Sequence, residues 1–231
     1  MVRCGVLTGL VLLSLLSVAI SVDIGNLPLI IRYLQNNYGS GDNQFAVAIN
    51  VPAAKCAAGA VPDQNFLSGD VSQTVKNAMN SDARVYNGQQ LIGARPKPIP
   101  GKSFYYHSEY LLLIRSNPPN ISPDDPLMQK LLNKDPSGCV VFYTFNSPCV
   151  KTCSTPTGPH SIIPALDMFR NHNGPKAFVF NRVWRLDIIG DMWKDNIKLV
   201  NDRVLVHRCD NTGCIRCVDN NNVVDARCTV N

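Results

Sequence analysis

At 231 residues, 45% of them hydrophobic and 17% charged, the chain is neither a disordered tail nor a low-complexity fibre, and it is long enough to bury a sizeable core. Its formal net charge of +5 permits a polyanionic partner without demanding one, because strong nucleic-acid binders carry denser basic clusters. No internal repeat divides it, and one domain is expected.

The first segment reads as a targeting signal. Met1-Val2-Arg3-Cys4-Gly5 gives a short basic start. An apolar run follows from Val6 to Val22, interrupted by Thr8, Gly9, Ser14, Ser17 and Ser21. Ala19-Ile20-Ser21 supplies the small residues that a signal peptidase inspects, so residues 1–21 are expected to be a signal peptide and the protein to be secreted. The rival is a membrane anchor, which needs about 20 uninterrupted apolar residues. No later segment is apolar enough to span a membrane. Removal of Arg3 leaves a net charge of +4 (5 − 1). Nine cysteines are present and Cys4 departs with the signal, so eight remain in an oxidising setting that favours disulfides. Asn120-Ile121-Ser122, followed by Pro123, is a glycosylation sequon.

The mature chain then alternates strands and helices. Asn26 to Tyr38 is a predicted helix, with Pro28 in its first turn. Tyr38 to Asn43 is a glycine-containing loop, and Phe45 to Val51 an apolar strand. A helix is expected around Ser72 to Met79. Arg84 to Ala94 is a second strand region with an Asn87-Gly88 turn inside it, and Arg95 to Gly101 a basic, proline-rich loop. His107 to Ile114 reads as an almost wholly buried helix, and Cys139 to Phe145 as a central buried strand. A helix is expected to open at Asn146-Ser147-Pro148, and another over Ser161 to Asn171. Lys176 to Trp184 is a strand, Leu186 to Asn196 a helix, and Ile197 to Val200 and Arg203 to His207 are strands. That order implies an α/β fold with helices on both faces of one sheet.

Two short pieces carry the chemistry. His107-Ser108-Glu109 stands at the mouth of a helix. Pro148-Cys149-Val150-Lys151-Thr152-Cys153 follows the central strand. Together they approximate H-x-E with a later P-C-x-x-C, the pattern of a zinc deaminase. A catalytic zinc takes three protein ligands and leaves a fourth position for water. His107, Cys149 and Cys153 are the expected ligands, the two cysteines lying one turn apart on a single helix face with Pro148 in its first turn. Glu109 is then the expected proton carrier beside the metal-bound water, whose pKa zinc lowers to about 7. A small disulfide between Cys149 and Cys153 is the competing reading.

With these residues in place, the chain resembles the AID/APOBEC-like deaminases, and most narrowly the secreted novel AID/APOBEC-like deaminases, over about Phe45 to His207. The family's Ser-Pro-Cys is Ser147-Pro148-Cys149, preceded by Thr144 on the same strand; Asn146 stands where a tryptophan is common, and three residues rather than two separate the cysteines. The family's Ala-Arg-(Leu/Ile)-Tyr resembles Asn181-Arg182-Val183-Trp184. The resemblance implies a three-layer α/β/α cytidine-deaminase-like fold with a central mixed five-stranded sheet. The deaminase domain is expected over residues 22–208, with a Cys-rich extension over 209–231. It also implies hydrolysis of cytosine to uracil in single-stranded DNA or RNA through a zinc-bound hydroxide, outside cells and in innate defence. Thr144, Asn146, Ser147, Arg182, Trp184 and Arg185 become the expected substrate contacts, with Trp184 equally able to be a core aromatic. Arg84, Arg95, Lys97, Lys102, Arg182 and Arg185 are either a basic groove or scattered solvated charge.

Six cysteines stay outside the expected metal site: Cys56, Cys139, Cys209, Cys214, Cys217 and Cys228. They allow 15 pairings, among which sequence does not choose. The tail spacing superficially resembles a zinc site, and secretion argues for disulfides instead. The alternatives to a polynucleotide deaminase are a free nucleoside or nucleotide deaminase, and a catalytically silent secreted nucleic-acid-binding protein.

Overall fold

The computed structural model describes residue 22, residues 25–188 and residues 192–231. The expected signal peptide, residues 1–21, lies outside the described residues. No described helix is long and apolar enough to cross a membrane.

In chain order the elements are α1 (Leu27–Tyr38), β1 (Ala46–Val51), α2 (Ser72–Asn80), β2 (Val85–Asn87), β3 (Leu91–Ala94), β4 (Lys97–Pro98), β5 (Tyr105–Tyr106), α3 (Ser108–Leu113), α4 (Leu127–Lys134), β6 (Cys139–Asn146), β7 (Lys176–Arg182), α5 (Met192–Asn201), β8 (Val206–Asp210) and β9 (Gly213–Arg216). Seven strands form one mixed sheet in the order β2-β3-β1-β6-β7-β8-β9. The pairs β6–β7 and β7–β8 are parallel, and the remaining pairs are antiparallel. The short β4 and β5 pair only with each other.

Side-chain alternation builds two cores. In β1, β6 and β7, Ala46, Ala48, Val140, Phe142, Phe178 and Phe180 join the buried residues of α3, α4 and α5. The intervening Val47, Ile49, Val141, Tyr143, Ala177 and Val179 join those of α1 and α2. The result is a three-layer α/β/α sandwich, as the alternating pattern predicts. Every residue of β1 and β6 is buried, which marks them as the centre of the sheet.

Several expectations need correction. The sheet has seven strands, not five: the Asn87-Gly88 turn splits one expected strand region into β2 and β3, and the tail supplies β9. The Ile197–Val200 strand does not exist. Trp193, Ile197 and Val200 are buried at helical spacing within α5, so two β-branched residues there pack as one helix face. Residues 189–191 of the expected Leu186–Asn196 helix lie outside the described residues, and α5 begins at Met192. The Ser161–Asn171 segment is a 3-10 helix over Pro164–Asn171. Helix α4 was not anticipated, although Leu127, Met128, Leu131 and Leu132 give it a buried face. No helix follows Pro148. Cys149 to Cys153 form turns, because the Ser154 hydroxyl donates toward the Pro148 and Cys149 carbonyls and Pro156 and Pro159 lie just beyond.

Three disulfides close the six remaining cysteines: Cys56–Cys139, Cys209–Cys214 and Cys217–Cys228. The tail is thus stapled by disulfides, as secretion predicts. Its first part is continuous with the sheet, since Cys209 lies in β8 opposite Cys214 of β9.

Candidate active site

The site forms where β6 changes from an antiparallel neighbour, β1, to a parallel one, β7. Crevices at the C-terminal ends of parallel strands are where α/β sheets bind ligands. Thr144 and Asn146 end β6 on the face that Val140 and Phe142 share with α3. Asn146 stands opposite Arg182 at the end of β7.

Helix α3 starts beneath this crevice. His107 is its N-cap in extended conformation (φ −73°, ψ 154°), and its carbonyl accepts the Leu111 N–H at 3.2 Å. Leu111, Leu112 and Leu113 are fully buried and fix the helix against the sheet. That anchoring places His107 and Glu109 at the crevice, with Glu109 only 2% exposed.

His107 Nδ1 lies 3.1 Å from Cys153 Sγ. Donor atoms of His107, Glu109 and Cys153 all fall within 4.8 Å of one another. Cys149 lines the same cavity as His107 and Glu109. Cys149 and Cys153 are the two unpaired thiols among the described residues, in a chain whose other described cysteines are all oxidised. Burial pushes the Cys153 thiol well up, and the Glu109 carboxylate pushes it the same way. A thiolate at this position therefore needs a cation beside it. His107 and Cys149 line the cavity, and Cys153 lies buried behind His107. The close group is His107, Glu109 and Cys153, with Cys149 outside it. One imidazole with two thiols is a donor set that suits Zn2+.

Hydrogen bonds orient the Glu109 carboxylate from both sides. Thr144 Oγ1 donates to Oε1 at 2.6 Å, Gln44 Nε2 to the same oxygen at 3.1 Å, and Ser108 Oγ to Oε2 at 3.2 Å. Gln44 also reaches across the crevice. Its Nε2 lies 2.9 Å from Thr144 Oγ1, and its Oε1 accepts from Asn146 N at 2.9 Å and Asn146 Nδ2 at 2.8 Å. Sequence reasoning missed Gln44, which stands in a loop with no motif around it. It also missed Asp187, which is 6% exposed and whose Oδ2 accepts from Val150 N at 2.9 Å. Burial raises the Asp187 carboxyl despite that bond. Asp187 ties the segment after β7 to the cysteine turn.

The cavity measures about 170 Å³. Sites for drug-sized ligands begin near 300 Å³, so this one has room for a single small ring. Asn146, Ser147 and Trp184 line it, together with Tyr105 and Pro96. The other expected contacts lie around it. Thr144 is fully buried against Glu109. Arg182 Nε donates to Asn146 Oδ1 at 2.9 Å, and its guanidinium lies 4.5 Å from the Phe145 ring centre. Arg185 is exposed, 5.8 Å from the Trp184 ring centre. Trp184 N donates to Ser147 Oγ at 2.9 Å, which fixes the tryptophan backbone to the Ser-Pro-Cys turn.

A family model described as Secreted Novel AID/APOBEC-like Deaminase 1 matches residues 26–231. No curated protein and no solved structure matches the chain.

Proposed function

The chain belongs to the secreted novel AID/APOBEC-like deaminase family, and from that premise we propose that it is a secreted, zinc-dependent deaminase that hydrolyses cytosine to uracil in single-stranded DNA or RNA. His107, Cys149 and Cys153 hold the metal in this reading. The observation that carries it is the approach of His107 Nδ1 to Cys153 Sγ, 3.1 Å apart, with the buried Glu109 carboxylate in the same group. Three disulfides elsewhere support an extracellular setting, and they make the two spared thiols informative.

A bound Zn2+ supplies the positive charge that makes water nucleophilic near neutral pH. The rest of the work falls to side chains. Glu109 takes the proton of the attacking water, delivers it to the ring nitrogen beside the reacting carbon, and then carries a proton to the departing ammonia. Ser108, Gln44 and Thr144 hold the carboxylate in one orientation during these transfers. The ring enters the small cavity, whose lining includes Trp184 and Tyr105, aromatic side chains of the kind on which bases stack. His107 and Cys149, on the same cavity lining, bring the metal side of the reaction to the ring.

The test is conversion of cytosine to uracil in single-stranded oligonucleotides by the zinc-loaded protein, with free cytidine in parallel. Conversion that Glu109→Gln abolishes supports the reading. A zinc-loaded protein with no turnover on oligonucleotides, nucleotides or nucleosides overturns it in favour of a binding protein on the deaminase fold.

A further inference from the structure

A second cleft adjoins the ring cavity and shares Gln44, Pro96 and Tyr105 with it. Its other lining residues are Asn43, Arg84 and Arg95. The volume is about 450 Å³, larger than the ring cavity itself. No acid lines it.

The two arginines are placed together by the β2–β3 hairpin. Val85 pairs with Ala94, and one step further Arg95 N donates to the Arg84 carbonyl at 2.9 Å. Like charges directly opposite each other across antiparallel strands are destabilising. Arg84 adds a second cost, since its φ of 60° is left-handed for a residue that is not glycine. Arg95 adds a third: it is 6% exposed, and its Nε and Nη2 are buried without a hydrogen-bond partner. Neither arginine makes an ion pair with any described residue. A buried guanidinium without an anion is expensive, and no acid among the described residues pairs with it.

We infer that the Arg84–Arg95 cleft is an anion site that receives a phosphate group of the same ligand whose ring occupies the adjoining cavity. The chemistry matches: the Arg84 guanidinium can offer parallel N–H donors to two phosphate oxygens, and the buried Arg95 guanidinium adds its positive charge from the cleft wall. Asn43 and Gln44 add neutral amides to the lining. The shared wall of Gln44, Pro96 and Tyr105 makes the two clefts one continuous surface, so the ligand is a phosphorylated nucleotide unit rather than a bare base or nucleoside. The phosphate comes either from a free nucleotide or from a polynucleotide backbone. The inference rests on the proposed deaminase function for the identity of the ring, and not for the anion site.

Binding is measured by calorimetry on full-length Glu109→Gln protein, which does not turn over. Cytidine, cytidine 5′-monophosphate and a short cytosine-containing oligonucleotide are compared, with inorganic phosphate alone as a fourth probe. Phosphorylated ligands are expected to bind at least about tenfold more tightly than cytidine. Arg95→Met and Arg84→Ala should each remove that advantage, and Arg95→Met should leave the melting temperature unchanged or higher, because it takes away an unpaired buried charge. Two variants keep the test open if one fails to fold. An oligonucleotide with a neutral methylphosphonate beside the cytosine separates the sources: loss of its advantage assigns the site to backbone phosphate, and preference for the free nucleotide assigns it to a terminal one. Equal affinity for charged and neutral ligands in the parent protein, or an advantage that survives both substitutions, overturns the anion site while leaving deamination of cytidine to be judged separately. Phosphate binding with no deamination of any substrate leaves the anion site standing and removes the catalytic reading.

Discussion

The Thr144 hydroxyl lies 2.6 Å from Glu109 Oε1, closer than the Gln44 amide at 3.1 Å or the Ser108 hydroxyl at 3.2 Å. A carboxylate that must accept and release a proton in succession depends on such a partner for its direction. Thr144→Val keeps the volume and removes the bond. The expected result is a kcat lower by roughly tenfold to a hundredfold, a smaller change in KM and an altered pH profile of kcat. Unchanged kcat and pH profile would show that Gln44 and Ser108 suffice.

Metal content separates ligands from proton carriers. Elemental analysis of the purified protein should give one zinc per chain. Cys149→Ser and Cys153→Ser should each lose it, and Glu109→Gln should keep it while losing turnover by roughly a thousandfold. The donor atoms of His107, Glu109 and Cys153 lie close enough together that Glu109 as a ligand is the outcome this measurement can detect. Zinc lost on Glu109→Gln would move Glu109 into the ligand set.

The disulfides should differ in weight. Cys56–Cys139 spans 83 residues and ties the 3-10 turn after β1 to the first residue of the central strand β6. Loop-closure entropy assigns it about 4.5 kcal/mol, against about 2 kcal/mol for the five-residue separation of Cys209–Cys214. Paired Cys→Ala variants in chemical denaturation should therefore lose more stability at Cys56/Cys139. The reverse ranking would mean that packing at the β8–β9 hairpin outweighs chain entropy.

His207 should make the fold acid-sensitive. It is 3% exposed, and burial, with Arg216 beside it, lowers its pKa to about 4 from the ordinary 6.5. The unfolded chain binds a proton at His207 between those values and the folded chain does not. Stability is therefore full above about pH 6.5 and falls as pH drops toward 4, by on the order of 3 kcal/mol. His207→Leu should flatten the melting temperature over that range. An equal acid slope in both proteins would assign the sensitivity to other groups.

The candidate site is legible in the sequence because its residues sit in two short stretches. His107 and Glu109 flank one residue, and Cys149 and Cys153 follow one strand. Their shared motif survives without the helix expected to carry it, since a turn closed by Ser154 brings Cys153 to His107 as well. What positions the motif was not legible. Gln44 meets Thr144 and Asn146 across 100 and 102 residues, through a pairing that exists only once β1 and β6 are neighbours. The same holds for Asp187 and Val150, 37 residues apart. Central strands β1 and β6 are legible as largely apolar runs, interrupted by Asn50 in β1 and by Thr144 and Asn146 in β6. Helix α5 misled because Ile197 and Val200 favour strands locally, while their spacing from Trp193 satisfies a helix face against the sheet.

An open sheet offers unpaired backbone at both margins, and that backbone can recruit strands from other molecules. Here one margin is β2, three residues long, and the other is β9, four residues long. β9 is bonded to its neighbour through Cys209–Cys214, and Cys217, the residue after it, is bonded to Cys228. Neither margin presents enough free, straight backbone to template a foreign strand. The cysteine-rich tail thus acts as a selvedge on the sheet, protecting the fold from edge-to-edge aggregation.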